Sequence, residues 1–355
     1  MNSQLKELVK TVQHNCHIAD ARHAGDYTLC VYLLKMREMY RWEQGINFKT
    51  MLTTDDVGDW LTHREGVWDE LEEQEYKPLN IEQQHFKVFD NKAINAVLGK
   101  QNLVYNAGLG IRSRPHFFIA ELEKSIRHDD YTISISNKEY ARDMAAPPAM
   151  AQGKHIFIRR ESLRRVIWEI LDDARVSGLD NPLTRAMSFY DFESDPEVAI
   201  NQMTESEIEH VIQHEIGEVK AGELLAQIAG DEIWNEMLNN YARTHAEIML
   251  RAIRDHLADS ITTLIKLLED GYIDQNSASI HFYFGNLTAM RKHLAPKLMH
   301  AYQHWNKAGQ LDQIQRVLEY SQNHWLGLSR KLIEQYQAGK DATAIEALVN
   351  DNKLV

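Results

Sequence analysis

The residues best placed to do chemistry lie in the stretch Glu205 to Leu225, ESEIEHVIQHEIGEVKAGELL, where His214, Glu215 and Glu218 fall within about one turn of an expected helix. At about 100° per residue, Ile208, Val211, Ile212, Val219 and Gly222 share one side of that helix, and Glu215 falls among them. A carboxylate is therefore aimed at the core, where it is costly unless paired or bound to a cation. His214 and Glu218, one turn apart on the flank, are spaced to share one ion. The chemistry implied is a divalent metal centre, with zinc, iron or manganese as candidates.

The other half of such a centre has to come from a neighbouring helix. Arg243 to Leu268 carries an apolar stripe at helical spacing (Ala246, Leu250, Ile253, Leu257, Ile261, Leu264, Leu268), with His256 on one border and Glu247 on the other. Asp255 and Asp259 are expected to point further away. If this helix packs antiparallel to the first, the short segment 230–242 makes them neighbours, and Glu247 or His256 can complete the site.

The pattern His-Glu-x-x-Glu is similar to the zincin helix, in which two histidines hold zinc and the intervening glutamate activates water. That resemblance implies His214 and Glu218 as ligands, Glu215 as general base, Glu247 or His256 as third ligand, and water in the open position. The second histidine of the motif is Glu218 here, which limits the expectation to a metal-dependent enzyme, a hydrolase first, acting on a small-molecule or peptide substrate. A second reading resembles the di-metal carboxylate oxidases and uses Glu215, Glu218, Glu247, His214, His256 and Asp259. Their Glu-x-x-His pairs are missing, although Glu207 and His210 have that spacing. A third reading is a non-catalytic helical ligand-binding or interaction protein, with Glu215 satisfied by Arg251, Arg254 or Arg291 in a buried network.

Elsewhere the chemistry-bearing residues read more simply. His14, Cys16, His17, Asp20 and His23 cluster near the N-terminus, with His17, Asp20 and His23 sharing a helix side, but nothing supplies Cys16 with a partner base. Gly108 and Gly110 follow no evident strand and read as a helix stop and turn. The segment 137–154 holds Glu139, Tyr140, Arg142 and Asp143 and reads as a surface excursion held by local ion pairs. The aromatic run around His281 to Phe284, with Tyr302 and Trp305, reads as core.

Composition narrows the partners. A net charge of -13 over 355 residues disfavours nucleic acid and an anionic membrane surface as partners. Two cysteines make no disulfide framework, and no secretory leader or membrane span is evident, so a cytoplasmic location is expected, with a homo-oligomer among the assemblies allowed. Seven prolines and seventeen glycines favour long helices over a turn-rich β fold.

The expected elements follow. Helices are read at 3–23, 27–45 (buried and central, from Leu29, Val31, Leu33 and Leu34), from Thr53 or Thr54, from about 80 and 90, and at 115–127. Helices then run through 161–176, 204–229, 231–270, 278–308 and 310–338 to a short one at the end. Tyr131–Ser136 and His155–Ile158 are expected to pair as a small antiparallel β-ribbon. The fold class expected is mainly α, a multi-helix bundle with that ribbon inserted: a helical region over 1–127, the ribbon and loop over 128–160, and a helical bundle with the site over 161–355. The blocks at 14–45 and 141–150, together with HEIGE, resemble an uncharacterised bacterial protein family of unknown function, a resemblance that implies no activity or ligand set.

Overall fold

The computed structural model describes residues 3–110, 114–128, 130–177, 180–273 and 277–355. Contacts divide the chain into two compact units, 1–168 with 193–201 and 169–192 with 202–355. In chain order the first elements are α1 (Ser3–His23), α2 (Leu29–Gln44), α3 (Thr54–Leu71), β1 (Leu79–Ile81), β2 (Gln84–Phe86) and α4 (Asn91–Leu98). Strands β3 (Leu103–Leu109), β4 (Pro115–Arg127), β5 (Thr132–Arg142), β6 (Ala149–Gln152) and β7 (His155–Arg159) follow.

The mainly α expectation is overturned here. The first unit is built on a five-stranded mixed sheet of order β3-β4-β5-β7-β6, curled into a half-barrel, beside the β1-β2 hairpin. Residues 115–127, expected as helix, are the long strand β4. Phe117 and Ile119 pack with Leu8, Val12 and Cys16 of α1, while Phe118 and Ala120 pack with Val104 and Phe157 on the other face. With both faces covered, PHFFIAEL loses the alternation that marks a half-exposed strand. A helix expected near residue 80 is the β1-β2 hairpin.

The expected ribbon also changes form. β5 and β7 pair in parallel, Thr132 opposite His155 and Ser136 opposite Arg159, because β6 lies between them in sequence and takes the outer edge of β7 antiparallel. Gly108 is a strand residue of β3, not a helix stop, and a side chain there would collide with Met150 and Gln152 of β6. Gln152 donates to the Ala107 carbonyl at 3.0 Å, so side chains rather than a backbone ladder join the two edges of the curl. Residues 111–113, also within that expected turn, lie outside the described residues.

α3 begins as expected, with Thr53 as N-cap in a reciprocal capping box with Asp56. α2 departs from expectation. Met36, Met39, Glu38 and Arg41 are buried, but Leu29, Val31, Leu33 and Leu34 are exposed, since the helix packs through its C-terminal half.

The rest of the chain is helical: α5 (Arg160–Ser177), α6 (Pro182–Met187), α7 (Pro196–Ala229), α8 (Ile233–Asn240), α9 (His245–Ile261), α10 (Thr263–Ile273), α11 (Ser277–Asn286), α12 (Ala289–Leu294), α13 (Pro296–Ala308), α14 (Asp312–Gln337) and α15 (Ala342–Asp351). The single helix expected over 231–270 is three. Arg243 adopts a left-handed φ of 67°, Thr244 caps α9 by accepting from the Glu247 amide, and Thr262 separates α9 from α10. α9 is the centre of the second unit, burying Leu250, Ile253 and Leu257 among Phe284, Tyr302, Trp325 and Leu332. Among the described residues no helix is long and apolar enough to cross a membrane.

Candidate metal centre

α7 and α9 meet closely at Gly217. A Cβ there would collide with the Ala258 carbonyl and Thr262 Oγ1, so only glycine permits this crossing. Thr262 Oγ1 fastens it by donating to the Gln213 carbonyl at 2.6 Å. Side chains one turn apart on each helix then face the junction: His214 and Glu218 from α7, Asp255 and Asp259 from α9.

One ligand atom from each of His214, Glu218 and Asp255 lies within 4.8 Å of the others, the group of metal-ligating side chains that converges in this way among the described residues. His214 Nδ1 is 2.7 Å from Asp259 Oδ1, which leaves Nε2 as the imidazole atom able to take an ion. Asp259 is itself held: Tyr283 donates to Oδ2 at 2.8 Å, and Arg291 pairs with the same oxygen. Burial alone would raise the Asp259 carboxyl, but Arg291 and His214 hold it far below the carboxylate range. Burial opposes charge on His214, yet Asp259 overrides it and lifts the imidazole to about 10. Burial raises Asp255, offset in part by Arg291.

Glu215 is half-buried beside this group, and burial lifts it to about 7 against the pull of His214. Glu218 pairs with Arg254 at 2.8 Å. The other two expected ligands are placed elsewhere. Glu247 accepts the Arg243 amide at 2.8 Å and pairs with Arg251 at 3.0 Å, closing the N-terminus of α9. His256 stacks on Trp325 at 4.7 Å with Nε2 on the Arg291 carbonyl, and burial pushes it down to about 3. Asp255 and Asp259, expected to point away, are the residues that meet α7. Their i, i+4 spacing repeats that of His214 and Glu218, which was the signal for them.

The N-terminal cluster does not assemble a ligand set. His17 meets Arg64 and Trp68 and is pushed by burial down to about 3, Cys16 donates to the Phe117 carbonyl with its thiol pushed up by burial, and His23 pairs with Asp26 at the surface. Asp20 instead accepts the Met144 amide. The segment 137–154 is no surface excursion. Glu139, Arg142 and Asp143 are buried, with Glu139 bound by Arg159 at 2.9 Å and Ser162 at 2.6 Å. His281 packs between Tyr302 and Trp305, as expected for core.

Two family models cover nearly the whole chain: the N-terminal domain of DUF6866, a family of unknown function, matches residues 7–159, and its C-terminal domain matches 164–352. The chain belongs to that family. No curated protein and no solved structure matches it. The convergent His214, Glu218, Asp255 and Asp259 all lie in the segment matched by the DUF6866 C-terminal domain.

Proposed function

We propose that the chain is a metal-dependent hydrolase with one divalent ion held by His214, Glu218 and Asp255, acting on a small-molecule or peptide substrate. The observation that carries this reading is the convergence of those three side chains, with His214 oriented by a buried carboxylate. A nitrogen and two carboxylate oxygens suit zinc, iron(II) or manganese, and the two negative charges match a divalent ion. An ion held by these three side chains would supply Lewis acidity, lowering the pKa of a water it binds. Glu215 would be the residue available to hold a proton of such a water and to return it to a leaving group. An ion at Nε2 would displace one proton of the imidazolium, and Asp259, anchored by Tyr283 and Arg291, would keep the other on Nδ1.

Metal analysis of protein purified without a metal-affinity column tests the reading, with His214→Ala and Asp255→Asn alongside. The expected result is one ion per wild-type chain, lost in both variants, and chelator-sensitive cleavage of an ester, amide or phosphoester panel. A wild-type chain that takes up no stoichiometric ion from zinc, iron(II) or manganese solutions overturns it.

The Arg254–Glu218 pair favours a second reading, a non-catalytic binding protein in which arginine is the permanent counter-ion. Arg254→Met separates the two: a metal centre keeps or gains affinity, whereas a closed ionic network loses stability and binds nothing.

A further inference from the structure

A second polar site lies along α7, one turn before the metal centre and using none of its ligands. A cavity of about 200 Å³ opens there, lined by Ser206, Glu209 and His210 of α7, Lys266 and Asp270 of α10, and Ser279 of α11. At roughly 30 Å³ per water, it has room for a ligand of a few non-hydrogen atoms. His210 forms its floor and is 8% exposed. Neither ring nitrogen makes a hydrogen bond, although Glu207 Oε2 is 3.5 Å from Nδ1 and Asp270 Oδ2 is 3.3 Å from Nε2. This buried imidazole lies in ion-pair range of two carboxylates, one of which, Asp270, also lines the cavity.

The surroundings select the ligand. Glu207, Glu209 and Asp270 face Lys266 and, when it is protonated, His210; Lys266 binds Asp270 Oδ1 at 2.8 Å, and His210 lies on Oδ2. Ser279 Oγ donates to Glu207 Oε1 at 2.7 Å, so its lone pairs remain as acceptors. An anion would meet three carboxylates. A metal ion is not favoured either, because the convergent ligand atoms among the described residues are those of His214, Glu218 and Asp255. Spread-out carboxylate and hydroxyl oxygens match the three diverging N–H bonds of an ammonium group.

We propose that this cavity binds the primary ammonium group of a small polar ligand, with Asp270 and Glu209 as its anionic partners. His210 and the ligand then compete for Asp270. Burial works against the charge on His210, but Glu207 and Asp270 outweigh it and raise the imidazole above its ordinary value. Acid therefore favours the protonated imidazole and weakens ligand binding.

Calorimetric titration of the full chain with ethanolammonium, and with ethylene glycol and acetate as neutral and anionic counterparts, tests this at pH 8.5 and pH 6. The expected result is one saturable site for ethanolammonium, roughly tenfold or more weaker for the diol, and weaker at the lower pH. Asp270→Asn and Glu209→Gln reduce affinity, Glu209 being exposed enough to change without unfolding the chain. Lys266→Met raises it, because the rival cation is gone, and general damage to the fold does not produce a gain. The proposal is overturned if the diol or acetate binds as well as the ammonium, if ethanolammonium does not saturate, or if Lys266→Met fails to tighten binding. His214→Ala leaves this titration unchanged, which keeps it separable from the metal reading.

Discussion

The polar core around Asp143 and the junction of α7 with α9 both bury acids beside arginine and histidine, yet they are built to different ends. On Asp143 and Asp20 the acceptors are taken. Oδ1 receives His116 Nδ1 at 3.1 Å and the Ala146 amide at 2.8 Å, Oδ2 receives the Phe117 amide at 3.2 Å, and both oxygens of Asp20 face the Met144 amide. Asp20, Glu139, Arg142, Asp143 and Arg159 are each at most 3% exposed, so little of them is left for a ligand to reach. At the helix junction, one member, Asp259, is saturated in the same way, but it serves His214, whose side chain is 31% exposed. Glu218 and Asp255 are half-buried as well. Buried charge alone is therefore a poor marker of a site. What distinguishes the second region is a saturated acid holding partly open side chains of metal-ligating type.

The largest expected effect breaks the first region. Asp143→Ala strands His116 and two backbone amides, and loss of one partner from a buried ionic network costs about 3–5 kcal/mol. Urea unfolding should show that loss, while metal uptake by the folded protein stays at the wild-type ratio. Uptake that falls in step with stability would remove the contrast between the regions.

Next comes Asp259→Asn, which keeps the shape but weakens the hold on His214. Outer carboxylates of this kind are worth about ten- to a hundredfold in metal affinity, so competition with a fluorescent chelator should report a shift in that range. An unchanged affinity would reduce Asp259 to a structural acid like Asp143.

The third effect is a pH dependence carried by one buried histidine in each unit. His17 and His256 are each depressed to about 3 in the folded chain. A depressed folded value means that the unfolded chain takes up the proton first, so this stability is complete above about 6.5 and is lost as pH falls towards 3. For His256, 2% exposed, the loss at pH 5 is about 2 kcal/mol. His256→Gln should flatten the fall in urea midpoint between pH 7 and pH 5. A parallel slope in variant and wild type would show that the imidazole is not held neutral.

The smallest effect marks the baseline. Arg316 and Asp312 pair at 3.2 Å on the surface of α14, both at least half exposed, and such pairs contribute less than about 0.5 kcal/mol. Asp312→Asn should leave the thermal midpoint and metal uptake unchanged.

Much of the helical unit was legible because its signals are local. The run that became α7, the stripe of α9 and the His214–Glu218 pair depend on residues no more than a few turns apart, and helix geometry converts such spacing directly into a shared face. The sheet was not legible in the same way. PHFFIAEL reads as helix as readily as strand when both faces are covered, and β5 runs parallel to β7 only because β6 intervenes and takes the outer edge.

The candidate site divides along the same line. Sequence by itself determined that α7 presents a histidine and a carboxylate one turn apart with Glu215 between them, since 3.6 residues per turn leaves no freedom there. It did not determine which face of α9 would meet them. Read by hydrophobicity, α9 offered Glu247 and His256, the borders of its apolar stripe. Those became an end cap and a core imidazole on Trp325. The tertiary structure chose Asp255 and Asp259 instead, because the contact of Gly217 with Ala258 sets where the two helices cross. Crossing point and rotation depend on packing over the whole helix, which spacing along one chain does not encode.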